Sequence, residues 1–286
     1  MTAADALRAA VPQLVAAGIP DAAGDARRLL AHALGLAPDR LTLHLSDALT
    51  PDQQAAFDSA ITRRLARQPV SQIVGGRLFW GRLFQVTPDT LDPRPETECL
   101  VAEALSAPFS RLLDLGTGTG CILLSCLADR PMATGLGTDI DPATLAVAAR
   151  TAASLGLAAR AEFRLSDWCA DVTGSFDLIL SNPPYIAAAE MPDLAPEVRL
   201  WEPHRALTPG GDGLAPYRSL AQDAPSRLLP GGRLLVEIGP TQGQAVATLF
   251  AEAGLGSIRV LPDFDGRDRV VAAVKPPGGQ STHPNG

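Results

Sequence analysis

Long apolar runs are missing from this chain. No segment approaches the ~18 uninterrupted apolar residues that a membrane-crossing helix needs, and the Ala- and Arg-rich start has no apolar core of signal-peptide length. The reading is of a cytoplasmic protein with no membrane partner. Cysteine and histidine are also scarce. The four cysteines, Cys99, Cys121, Cys126 and Cys169, form no CxxC pair, and the four histidines are scattered. That excludes a zinc site or a disulfide framework and predicts no metal. An excess of basic charge is absent as well. A formal charge of −7 and a pI near 5.1 argue against a general nucleic-acid binder, which carries a basic face.

What is present is enough apolar material for a sizeable core, 46% of 286 residues. Residues 1–70 read as a small helical bundle. Thr2 and Asp5 form a capping pattern ahead of Leu7, Val11 and Leu14 at helical spacing. A second helix runs from about Asp21 to a stop at Gly35. A third opens with Thr50 as cap, Pro51 at the first position and Gln53 completing a capping box. Residues 71–90 alternate apolar residues around glycines and read as a β-hairpin linker. From residue 91 to 275, short apolar strands alternate with helices. The strands fall at 111–115, 134–139, 160–165, 176–180, 232–238, 257–262 and 269–274. This predicts an α/β fold with a doubly wound, seven-stranded, mostly parallel sheet, its last two strands pairing antiparallel. Residues 276–286 are Pro, Gly and polar residues and read as a disordered tail.

The chemistry-bearing residues fall at strand ends. Asp114-Leu115-Gly116-Thr117-Gly118-Thr119-Gly120 turns a strand into a helix, and its glycines let a ligand approach the backbone. The spacing GxGxG is neither the dinucleotide fingerprint nor a Walker loop, and no Lys-Ser/Thr follows. Asp139, with Ile140 beside it, ends the next strand, where an acid can accept from ribose hydroxyls. Asp141, followed by Pro142, reads as a helix N-cap. After the third strand, Asp167 can accept an exocyclic amine and Trp168 can lie against a base. No phosphate-binding lysine accompanies them, so the ligand is a nucleoside without a phosphate chain, a description S-adenosylmethionine fits.

After the fourth strand comes Ser181-Asn182-Pro183-Pro184-Tyr185. Two consecutive prolines cannot extend a central strand, because each lacks an N–H and fixes φ. The chain must leave the sheet at Asn182 on a stiff path, placing an amide, freed carbonyls and a ring at the strand's carboxyl end. Alone, this could be an ordinary turn.

The order of these elements resembles the class I methyltransferases, and Asn182-Pro183-Pro184-Tyr185 resembles their amino-methyltransferase motif. Together with Pro93-Arg94-Pro95-Glu96-Thr97-Glu98, Ser166-Asp167-Trp168, and Glu197-Val198-Arg199 before Glu202-Pro203, the chain resembles the PrmC/HemK family over roughly residues 5–275. The resemblance implies S-adenosylmethionine-dependent methylation of the side-chain amide nitrogen (N5) of the glutamine in the Gly-Gly-Gln motif of class I peptide release factors. It implies a cofactor site of Asp114, Gly116, Thr117, Gly118, Thr119, Gly120, Asp139, Ile140, Asp167, Trp168 and Asn182. Asn182 and Pro183 would accept the substrate amide's two N–H bonds, and Tyr185 would pack on its plane. Pro184, Arg94, Glu197, Arg199 and Glu202 would meet the substrate, with residues 186–213 as a lid. The N-terminal bundle would recognise the protein substrate, and the enzyme would act as a monomer on protein, without nucleic acid. Asp92 and Cys169 depart from the family, which has apolar and aromatic residues there; a thiol at 169 would loosen the adenine pocket.

Two other readings compete. An adenine amino methyltransferase of nucleic acid uses the same motif but needs a basic groove. A cofactor-binding module without catalysis would have no need of Asn182. The tail also holds Gly278-Gly279-Gln280, the tripeptide of the expected target, which a Pro/Gly-rich tail reaches by chance.

Overall fold

A computed structural model describes residues 1–277, so the Gly278-Gly279-Gln280 tripeptide and nearly all of the expected disordered tail lie outside the described residues. The chain forms two compact units. The first comprises Met1–Gly76 and, from far along the chain, Leu194–Glu202. The second comprises Arg77–Asp193 and Pro203 onward.

The first unit is helical, as the capping patterns dictate. Helix α1 (Ala3–Ala16) starts in a complete capping box, with the Thr2 hydroxyl accepting from the Asp5 amide and the Asp5 carboxylate accepting from the Thr2 amide. Helix α2 spans Ala22–Ala33 with Asp21 as its cap. Helix α3 spans Pro51–Leu65 and has the second capping box, Thr50 with Gln53. Leu14, Leu29, Leu30, Leu41, Phe57 and Ile61 make its core. A fourth helix, α4, spans Val70–Val74 where a hairpin start was expected. Pro69 supplies a fixed φ at its cap and Gly75, at φ 79°, ends it, so the apolar Ile73-Val74 pair belongs to a helical turn.

The hairpin is confined to β1 (Gly76–Phe79) and β2 (Arg82–Gln85). It is more than a linker. Phe79 and Phe84 stack edge to face at 5.9 Å and are buried with Leu100, Leu112 and Ile122 in a core of the second unit.

That unit is built on β3 (Arg111–Leu115), β4 (Thr134–Asp139), β5 (Ala161–Leu165), β6 (Phe176–Ser181), β7 (Leu228–Glu237), β8 (Gly256–Pro262) and β9 (Asp268–Val274). Their order is β5-β4-β3-β6-β7-β9-β8, with β9 antiparallel to both neighbours and the other pairs parallel. Alternate residues serve opposite faces, as a pleated strand requires. Leu112, Leu178, Leu180 and Leu235 enter one apolar cluster, and Leu113, Ile179, Leu234 and Val236 enter the other. Helices α5 (Glu98–Leu105), α6 (Cys121–Asp129) and α7 (Pro142–Ser154) belong to this unit. Because β3 has β4 on one side and β6 on the other, the strand order reverses between β3 and β6, the place where open α/β sheets bind ligands. No helix among the described residues is long and apolar enough to cross a membrane.

Inside the first unit, Arg64 is buried and reaches Asp25 at 2.7 Å and Glu197 at 3.0 Å. Removing the guanidinium would take one of two partners from each carboxylate, leaving Asp25 with Arg28 and Glu197 with Arg67. Arg64→Ala is therefore expected to lower the unfolding free energy by about 2–4 kcal/mol, measured by urea titration with Arg8→Ala, an exposed ion-pair variant, as the control that changes little.

Candidate active site

A cavity of about 340 Å³ opens at the strand reversal. Its walls come from the turns after β3, β4, β5 and β6 and from the Pro93–Thr97 segment. Register explains the convergence. Leu115 of β3 lies beside Ser181 of β6, and the Ser181 hydroxyl donates to the Leu115 carbonyl at 2.7 Å. The glycine turn and the Asn182 exit are thereby held side by side.

In the turn, Gly116, Gly118 and Gly120 have φ of 71°, 57° and 78°, a conformation costly for residues with a Cβ. The turn is stitched to β4. The Thr117 amide donates to the Thr138 carbonyl at 2.8 Å, and the Gly118 amide donates to Asp139 Oδ2 at 3.1 Å. Asp139 Oδ1 accepts from the Asp141 amide at 3.1 Å. Burial raises the Asp139 carboxyl above its ordinary range, against the pull of those two amides. Each oxygen keeps a lone pair for a neutral donor such as a hydroxyl. Trp168 sits at φ 48°, rare for a bulky residue, with its carbonyl accepting from the Ser166 hydroxyl at 3.0 Å. Its ring is both packed on the core and part of the cavity wall.

Gly116, Thr117, Gly118, Thr119, Asp139, Ile140, Asp167, Trp168, Asn182, Pro184 and Arg94 all line the cavity. Other expected residues lie elsewhere. Asp114 is fully buried beneath the turn, where its Oδ2 accepts from the Thr117 hydroxyl at 2.6 Å. Gly120 caps α6. Pro183 is buried between Asn182 and Pro184. Tyr185 does not reach the wall; its hydroxyl points 3.5 Å from Glu237 Oε1 and 3.5 Å from an Arg269 nitrogen. A buried phenol needs such a partner, which overrides stacking at the surface. Glu197 lies in the first unit, bonded by Arg64 and Arg67 at 3.0 and 3.1 Å. Burial alone would raise its carboxyl, but its own amide and the two arginines bring it below the usual range. Arg199 is exposed in that same unit, and Glu202 is buried there. Residues 186–213 are thus divided between the units, with their base closed by Ile186 and Ala188 amides donating to Leu207 and Gly211 carbonyls at 3.0 Å.

Asp92 is buried and ion-pairs with Arg77 at 3.6 Å, which explains an acid beside Pro93. Cys169 is buried in the core cluster and is not on the cavity wall, so it does not loosen the pocket.

Sequence reasoning missed several groups. Arg205 and Thr208 line the cavity, and Arg205 ion-pairs with the helix cap Asp141. Thr97 lines it too, accepting from Asn182 Nδ2 at 3.2 Å. Gln242 donates to the Tyr185 carbonyl at 2.9 Å. Gly213, at φ 77°, passes so near that a Cβ there would lie 2.3 Å from the Tyr185 carbonyl oxygen. The Pro-Glu-Thr turn and a glycine facing a proline-rich loop were the only signals for these.

A nucleoside with a short charged tail fits this wall. Asp139 suits vicinal hydroxyls, Asp167 an amine, Trp168 a ring, and the glycine backbone a close approach. A phosphate chain does not suit this wall, since four acids, Asp89, Asp92, Asp139 and Asp167, line it against two arginines, Arg94 and Arg205.

A family model for the PrmC N-terminal domain matches residues 5–75, and one for the methyltransferase small domain matches residues 94–215. A release factor glutamine methyltransferase of Cereibacter sphaeroides is 66% identical over 96% of this chain and 99% of its own length. The chain belongs to the release factor glutamine methyltransferase family. A second member, from Rhodospirillum rubrum, is 47% identical over 91% of this chain and 81% of its own length. Among solved structures, a methyltransferase from Pyrococcus furiosus shares the fold, with a TM-score of 0.54 at 18% identity over 75% of this chain and 99% of its own. The chain is a methyltransferase that uses S-adenosylmethionine.

One titration isolates the acid under the turn. Burial pushes Asp114 up to about 7, against the Thr117 hydrogen bond. Its folded value lies above the ordinary 3.8, so the stability it contributes is complete below about pH 4 and is lost as pH rises through 7. Asp114→Asn is expected to remove about 2–3 kcal/mol of the fall in unfolding free energy between pH 5 and pH 8, read by denaturant titration at both values.

Proposed function

We propose that this chain methylates the side-chain amide nitrogen of the glutamine in the Gly-Gly-Gln motif of class I peptide release factors. The observation that carries the reading is Asn182 on the wall of the nucleoside cavity, with its Nδ2 donating inward to Thr97 and its Oδ1 left as the acceptor. Family membership favours glutamine over an adenine as the owner of the nitrogen, and so does the acid-rich wall.

An amide nitrogen is a poor nucleophile, because its lone pair is delocalised into the carbonyl. S-adenosylmethionine supplies an already activated methyl group on a sulfonium. The protein therefore has to align and desolvate. Asn182 Oδ1 and the Pro183 carbonyl take the two N–H bonds of the glutamine amide. The Pro183 carbonyl has no hydrogen bond among the described residues, so it is available. Held this way, the amide would present its lone pair to the activated methyl group. Asp139 would hold the ribose hydroxyls, and Trp168 would lie against the base. The proton leaves after transfer, when the nitrogen has become acidic, so no strong base is required. Tyr185 anchors the loop through its hydroxyl and its carbonyl and does not touch the substrate. Arg94, on the wall, meets the substrate loop, whereas Glu197 and Arg199 act within the helical unit, which binds the rest of the release factor. The enzyme works as a single chain in the cytoplasm.

Asn182→Ala is expected to lower kcat by at least about 100-fold while the S-adenosylmethionine Kd, by calorimetry, changes little. Asp139→Ala is expected to do the reverse, raising that Kd by about 10-fold or more for a lost pair of hydroxyl bonds. Peptide mapping after incubation with labelled cofactor and a purified release factor should place the methyl group on the glutamine; methyl found on adenine, or on no glutamine, overturns the assignment.

A further inference from the structure

An asparagine side chain can sit in one place in two orientations, with oxygen and nitrogen exchanged. Only one of them gives an acceptor to an incoming N–H. The rotation about the last bond is soft, so a neighbour has to choose between them. Here the neighbour is Thr97. Its hydroxyl oxygen lies 3.2 Å from Asn182 Nδ2, and the residue is 2% exposed. It stands in the short Pro95–Thr97 turn, where Pro95 starts the turn and the Thr97 amide donates to the Arg94 carbonyl at 3.1 Å.

The Thr97 oxygen accepts from Nδ2, and that bond leaves Oδ1 as the acceptor for an incoming N–H. We propose that Thr97 is a positioning residue that locks the Asn182 amide with Oδ1 facing the substrate nitrogen. This rests on the assignment of Asn182 as the acceptor.

The test compares Thr97→Val, which keeps the shape but cannot accept, with Thr97→Ser, which can. Both are assayed for kcat and KM on a purified release factor and for S-adenosylmethionine Kd. Thr97→Val is expected to lower kcat by about 10- to 100-fold, with cofactor Kd nearly unchanged, and Thr97→Ser to recover most of that loss. In an Asn182→Ala background, Thr97→Val should cost nothing further, because its effect runs through Asn182. Full kcat in Thr97→Val, equal losses in the Val and Ser variants, or an additional loss in the Asn182→Ala background would overturn the role of Thr97. If Asn182→Ala itself keeps full transfer, the acceptor assignment falls instead, whatever Thr97 does.

Discussion

The pairing of β3 with β6 governs the whole site. Apart from the buried Asp114, the bodies of the two strands are mainly apolar, Leu112, Leu113 and Leu115 in one and Leu178, Ile179 and Leu180 in the other, and they fix where the next residue emerges. Leu115 beside Ser181 puts a glycine turn and a proline-rich exit on adjacent strands, at the point where the sheet winds in opposite directions. A slip of a single residue would turn Asn182 to the other face and bring its neighbour Pro183 out in its place, because side chains alternate with a period of two. The Ser181 hydroxyl on the Leu115 carbonyl closes the edge where that slip would start. The energy of the sheet's apolar packing thus becomes precision at the cavity.

That dependence explains which parts were legible in the sequence. The glycine turn, Asp139, Trp168 and Asn182 each announce themselves through a local pattern: a strand, a breaker and a polar residue at its carboxyl end. The alternating strands and helices fixed the doubly wound sheet in the same way. Arg205 and Thr97 gave no such signal, because their roles arise only when distant segments fold together. Glu197 shows the limit most clearly. Its motif is local and polar, yet its partner Arg64 lies 133 residues away, so the same residue types that suggest a substrate contact serve an ion pair inside a helical unit. Tyr185 is similar: its place in the motif pointed to the cavity, but the buried Glu237 and Arg269 behind it decide where the hydroxyl goes. Helix α4 was mistaken for a strand because five residues are too few for the helical period to show.

The site handles charge by burial more than by exposed pairs. Asp114, Asp139 and Glu237 are all pushed upward by desolvation. None is placed to take a proton from an amide. Instead they accept from hydroxyls and amides, holding turns and side chains in one geometry. A reaction whose activated group arrives ready-made calls for this kind of scaffold. Rigid acceptors at fixed positions serve it better than a strong base would.

The route of the chain has its own consequence. Leu194–Glu202 leaves the sheet-bearing unit, joins the helical one and returns. The two units are therefore not separable by one cut. A protein shortened to begin at the hairpin would still carry that segment, but Glu197 would have lost Arg64 and Arg67, and Trp201 its bond to the Ala66 carbonyl. The chain passes between the units three times where a simple fusion of domains passes once, and recombination between relatives would have to exchange both pieces together.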